Sequence, residues 1–141
     1  MRPLLALLLL VSGLALAHAE LESSIPAMDS TVKIPPQSVT ITFTEAVEVK
    51  LSVFKVYPLP GSGSLERLNQ QAQALLPQVI GLKGDQARRA DSGLRTTAKT
   101  SSQVVIGLKP GLKPGAYAVL WRNLATDGHT SSDFFVFIYR P

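Results

Sequence analysis

The stretch "SVTITFTE" (38–45) alternates without a break. Val39, Ile41 and Phe43 share one face, and Thr40, Thr42 and Thr44 share the other. Period-two alternation of β-branched and aromatic residues marks a strand buried on one side. The rhythm recurs in both directions: "VEVKLSVFKVY" (47–57), "QVVIGL" (103–108), "GAYAVLWRNL" (115–124) and "DFFVFIYR" (133–140). Within 47–57, Val47, Val49, Leu51 and Val53 oppose Glu48, Lys50 and Ser52. Phe54 and Val56 then fall on the other face, so a bulge or a change of exposed face is expected near residue 53. "AELESS" (19–24) is expected as a short edge strand.

Pro- and Gly-rich punctuation separates these runs: "KIPPQ", "YPLPGSGS" and "LKPGLKPGAY". Such clusters mark turns. The doubled "LKPG" reads as a repeated turn before a strand. One segment departs from the pattern. "SLERLNQQAQALLPQVIGL" (64–82) is rich in helix formers, with Leu65, Leu68, Ala72, Leu75 and Leu76 near helical spacing. Ser64 is its expected N-cap, and Pro77 is expected to end or kink it. "KGDQARRADSG" (83–93) is polar and reads as a mobile loop. The fold class expected is therefore all-β: an antiparallel Greek-key β-sandwich or barrel with one helical insertion.

Residues 1–17 read as a cleaved signal peptide and 18–141 as one domain. Arg2 supplies a positive start, Leu4 to Val11 an apolar run, and small residues follow. The run is too short for a membrane anchor, which needs about 20 residues. Two cleavage patterns overlap. Ala15-Leu16-Ala17 would leave His18 first, whereas Ala17-His18-Ala19 would leave Glu20 first. Without residues 1–17 the chain holds 13 basic and 10 acidic residues, a net charge of +3 with both histidines neutral. The cations are scattered in sequence apart from Arg88-Arg89, with no aromatic-interleaved stripe, so nucleic acid is not an expected partner. The absence of cysteine excludes disulfides, thiolate metal sites and a thiol nucleophile.

The chemistry-bearing stretch is "WRNLATDGHTSSDFFVF" (121–137). Gly128 allows a tight turn. Asp127 and His129, two apart, are expected on the same side of an extended or gently turned backbone. An N-terminal His18 would add two nitrogens, its amine and its Nδ1, able to chelate one metal. Three nitrogens and one oxygen form a tetragonal set that suits Cu(II), which also tops the divalent affinity order. Only Met28 survives removal of Met1, so a thioether-based Cu(I) site is not available.

Three stretches carry a resemblance: "HAELESSIPAMDSTV", "VTITFTEAVE" and "PGAYAVLWRNLATDGHTSSDFFVF", about half of the chain after residue 17. Together, and in this order, they resemble the CopC family of exported copper-binding proteins. The resemblance implies an immunoglobulin-like β-sandwich of cupredoxin-like form, a periplasmic location and a Cu(II) site. It also implies cleavage after Ala17. By it, His18, Asp127 and His129 are the metal ligands, and Glu45 accepts a hydrogen bond close to the copper, for instance from the N-terminal amine. Many relatives carry a second histidine where this chain has Glu20. Others carry a Met-rich loop where this chain has the helical insertion, so a Cu(II)-only protein is expected. The expected role is a monomeric binding protein, not an enzyme, that sequesters copper or delivers it to an inner-membrane transporter or a cuproenzyme. Two alternatives remain: a histidine-brace copper oxidase or monooxygenase, and a metal-free immunoglobulin-like interaction domain.

Overall fold

The computed structural model describes residues 18–141. The expected signal peptide, residues 1–17, lies outside the described residues. Eight strands form two four-stranded sheets: β1 (Leu21–Ile25), β2 (Thr31–Val32), β3 (Ser38–Glu48), β4 (Val53–Pro58), β5 (Asp91–Leu94), β6 (Thr100–Leu108), β7 (Gly115–Leu124) and β8 (Thr130–Tyr139). One sheet runs β1-β3-β6-β5 and the other β2-β8-β7-β4. All pairs are antiparallel except the two-residue β2–β8 pair, which is parallel. The expected β-sandwich is therefore the fold.

The inner faces supply the main core. Val39, Ile41 and Phe43 of β3 meet Tyr117, Val119 and Trp121 of β7 and Phe135 and Phe137 of β8. Trp121 bridges the sheets, with its ring 5.7 Å from Phe43 and 6.0 Å from Phe135. The other phase of β7 and β8 is buried as well. Ala116, Ala118, Leu120, Val136 and Ile138 pack under the helix α1 (Leu65–Val79), through Leu68, Ala72 and Val79. Burial on both faces explains why "YAVLW" and "FFVFI" show no clean alternation. The insertion thus caps one sheet. Ser64 caps the helix as expected, with its hydroxyl accepting from Arg67 N. Pro77 does not end the helix: it lies in the last turn, and α1 continues to Val79.

Two further expectations are corrected. "VEVKLSVFKVY" is not one bulged strand. β3 extends to Glu48, its pairing with β6 shifting register between Thr42 and Val47. A 3-10 turn at Val49–Leu51 then carries the chain to the other sheet as β4. The change of face near residue 53 is a change of sheet, so Phe54 and Val56 enter the same inter-sheet core from the opposite side.

The second correction concerns 83–93, which is not a loose loop. It holds a 3-10 turn at Gln86–Arg88 and the strand β5, and it buries two carboxylates. Lys55, 2% exposed on β4, spends one of its three ammonium protons there and two on the chain just before it. It donates to Val79 O at 2.7 Å, Leu82 O at 2.8 Å and Asp85 Oδ2 at 2.9 Å. The Tyr57 hydroxyl also donates to Asp85 Oδ2. Arg89 lies 3.5 Å from Asp85 and 3.3 Å from Asp91, and Asp91 Oδ1 accepts Val56 N at 2.8 Å. β4 and β5 are edge strands of opposite sheets, so this network closes one open side of the sandwich. Hydrophobic periodicity is blind to it because its members are polar.

Burial alone would raise the Asp85 carboxyl, but hydrogen bonds from Tyr57 and Lys55 outweigh it and hold it at about 2. Burial and the bond to Asp85 push Tyr57 up to about 12. A depressed carboxyl contributes stability that is present above the ordinary carboxylate range and is lost as pH falls through its folded value. Urea unfolding of the wild type should therefore shift to lower midpoint between about pH 4 and pH 2. Asp85→Ala strands the Lys55 charge and should cost about 3–5 kcal/mol at pH 7, with a shallower acid dependence than wild type.

Candidate metal-binding corner

The β7–β8 hairpin turn forms the corner. Ala125 N donates to His129 O at 2.8 Å and Gly128 N to Ala125 O at 2.9 Å. Gly128 sits at φ +93°, where a side chain would strain the backbone. Asp127 Oδ1 accepts the His129 N–H at 3.0 Å, a local side-chain turn. The same oxygen lies 3.2 Å from His129 Nδ1. Asp127 and His129 therefore do share one side, as expected. The ring contact is close but misaligned for a hydrogen bond, so Nδ1, shielded from solvent, has no hydrogen-bond partner. The His129 N–H bond holds the Asp127 carboxyl below its usual range against the opposing effect of burial, and the two imidazoles act in the same direction.

The N-terminal segment reaches this corner. The His18 ring centroid is 5.4 Å from that of His129, edge to face. A set of contacts not read from the sequence puts it there. Ala19, 2% exposed, has its carbonyl held by Asn123 Nδ2 at 3.0 Å and by Ser131 Oγ at 3.5 Å. The single Ser131 hydroxyl proton goes mainly to the shorter contact, Asn123 Oδ1 at 2.9 Å, with Ala19 O at the edge of its reach. On the other side, Thr44 Oγ1 accepts from Glu20 N at 3.1 Å and donates to His18 O at 3.3 Å, and Thr44 N donates to Glu20 O at 2.8 Å. One signal was available. Asn123 continues the inward phase of Tyr117, Val119 and Trp121, so a polar side chain at a core position was visible in "YAVLWRN". Asn123 is fully buried.

Glu45 is exposed on β3 and takes part in none of the described hydrogen bonds or ion pairs. Its neighbour Ala46 accepts from Thr126 N at 3.3 Å, and Val47 bridges to Ala125, so the backbone around Glu45 lies against the hairpin turn. A shallow groove beside His18 is lined by Glu20, Trp121, Ser131 and Asp133. Among the described residues, no three His, Asp or Glu side chains stand arranged as a metal cage. The corner itself presents two adjacent imidazoles, an unpartnered ring nitrogen and a carboxylate. That donor set fits a borderline cation that accepts nitrogen and oxygen.

A two-sheet β-sandwich that pins residues 18–20 beside a hairpin-turn Asp-Gly-His defines a particular class of small β-domain. Residues 21–140 match the model of the CopC domain, and the chain belongs to that family. Among curated relatives, Protein YobA of Escherichia coli K12 is 29% identical over 128 residues, covering 91% of this chain and 83% of its own. Copper resistance protein C of Escherichia coli is 27% identical over 123 residues, covering 87% and 82%. Two crystal structures share the fold. CopC from Methylosinus trichosporium OB3b aligns with a TM-score of 0.63 at 20% identity, over 88% of this chain and 95% of that one. PcoC, a methionine-rich copper resistance protein from Escherichia coli, aligns with a TM-score of 0.60 at 23% identity, over 88% and 100%. Membership of this family agrees with the expectation that the chain is not an enzyme.

Asn123→Ala should leave the buried Ala19 carbonyl short of a partner, at about 1–3 kcal/mol. Urea unfolding reads the cost. Faster amide exchange at Leu21 and Glu22 than in Ser101→Ala, a substitution far from the anchor, would show that the loss is at the N-terminal segment.

Proposed function

We propose that the chain, cut after Ala17, binds Cu(II) in the periplasm and either sequesters it or passes it to an inner-membrane transporter or a cuproenzyme. His18 contributes its amine and imidazole, His129 its imidazole and Asp127 a carboxylate oxygen. The observation that carries this reading is the meeting of residues 18 and 129, 111 positions apart, with their rings 5.4 Å from each other. The Asn123–Ser131–Thr44 anchor supports it, since these side chains hold the backbone from the carbonyl of His18, the first residue of the proposed processed form, to Glu20. The relatives named for copper resistance support the choice of metal. Glu45 is proposed to orient the terminal amine once that amine exists.

The ligand chemistry is simple. Three nitrogens and an oxygen favour a tetragonal ion, and Cu(II) leads the divalent series. Amine and imidazole bind only after losing their protons. Protons compete with the metal for these nitrogens, so affinity should fall steeply on acidification.

Cu(II) titration of protein beginning at His18, with electron paramagnetic resonance of the product, tests the reading. One tight equivalent with nitrogen hyperfine structure is expected. His129→Ala should weaken binding by more than the roughly 10–100-fold that loss of a ligand's hydrogen-bond partner costs, and protein beginning at Glu20 should lose the tight site. Equal binding by wild type and His129→Ala, or affinity flat from pH 8 to pH 5, would overturn it.

A further inference from the structure

The cations scattered along the sequence are gathered by the fold at the end of the sandwich opposite the corner. Lys33 and Arg140 follow the paired ends of β2 and β8, where Arg140 N donates to Val32 O at 2.9 Å. Lys109 and Lys113 bracket the turn between β6 and β7. The Arg95 guanidinium reaches Gln37 O at 3.2 Å, just before β3 begins. Shared grooves confirm the gathering. Arg95 and Lys109 line one with Pro35 and Pro36, Lys109 and Lys113 line the next, and Arg140 lines a third with Pro114. No Asp or Glu lines any of the three.

Among the described residues, none of the five cations has a carboxylate within 4.0 Å. Lys109 Nζ and Arg95 instead donate to backbone carbonyls, which leave their charges uncompensated. Glu66 and Arg67 at the start of α1 offset each other. The opposite end carries Glu20, Glu45, Glu48, Asp127 and Asp133 against Lys50, Lys99 and Arg122, so its balance is acidic. The molecule is therefore polar along its strands. At the basic end stands Ile34, 80% exposed, between Lys33 and the stiff Pro35-Pro36 pair.

We infer that this end is a docking surface for an anionic phospholipid bilayer. Long, mobile cationic stems spread over several loops suit a fluid layer of headgroups, to which each contributes about 1 kcal/mol. A single exposed isoleucine on a Pro-stiffened tip suits shallow insertion at the headgroup boundary. The result is weak, reversible and salt-sensitive attachment. β8 has ten residues and spans about 33 Å. His129 precedes it and Arg140 follows it, so a docked molecule holds the Asp127–His129 corner away from the bilayer. The inference stands on charge placement and does not depend on copper.

Sedimentation of the 18–141 chain with vesicles tests it. Phosphatidylcholine vesicles containing phosphatidylglycerol should carry the protein down at low salt and release it at high salt. Phosphatidylcholine alone should not bind it. Lys33→Glu/Lys113→Glu, both at exposed positions, should weaken binding at least about tenfold, and Ile34→Ser by a smaller factor. Lys50→Glu/Lys99→Glu at the other end should bind as wild type, with circular dichroism showing every variant folded. Absence of binding to the anionic vesicles, equal binding to neutral ones, or wild-type binding by the Lys33/Lys113 variant would overturn the proposal. So would capture by polyglutamate beads without any by the vesicles, which would point to an acidic polypeptide.

Discussion

The position of Trp121 is the constraint on which the rest of the molecule depends. Its ring stands between Phe43 of one sheet and Phe135 of the other. Large aromatic faces supply most of the apolar area in a sandwich core, and this one fixes how the two sheets sit at one end. Asn123 follows two residues later on the same strand and the hairpin turn begins immediately beyond it. The height of Asp127 and His129 above the core is thereby set by packing, and the height of His18 by the Asn123 amide that the same strand supplies. A corner assembled from both ends of the chain needs such a common reference.

The second constraint is ionic and lies on the open side of the sandwich. A sandwich of two four-stranded sheets leaves edge strands that invite pairing with other chains. Here the β4 and β5 edges are tied by Lys55, Tyr57, Asp85, Arg89 and Asp91, with Arg88 laid over the Tyr57 ring at 5.8 Å. Buried charges survive because nearly every donor has a partner. Lys55 has three acceptors for three protons. The arrangement also ties down the end of α1, since Lys55 binds the carbonyl of its last residue, Val79, and that of Leu82 just beyond it. The helix that covers the outer face of β7 and β8 is thus coupled to the closed edge.

Much of the fold was legible because strands that bury one face announce it. "SVTITFTE" gave the period and its face, and "GAYAVLWRNL" matched β7 residue for residue. Where a segment left one environment for another, legibility failed. Residues 47–57 cross between sheets, and a period count cannot tell a change of sheet from a bulge. Residues 83–93 are held by charge pairing across 30 residues, and their composition matches that of a solvated loop. At the corner, Asp127 and His129 were readable as neighbours because two residues around a glycine turn are local. Their closeness to His18 was carried by resemblance, not by spacing.

The sequence by itself determined the alternation that makes strands, the glycine that lets 127–129 turn back, the amphipathic helix and the lack of any thiol chemistry. These are local properties, set by backbone sterics and side-chain type within a few residues. Only the tertiary structure decided that residue 19 docks on residue 123, that Lys55 finds Asp85, and that five cations far apart in the chain share one end. Those outcomes depend on which strands pair and in what register, and pairing is settled by the burial of a whole core rather than by any one segment.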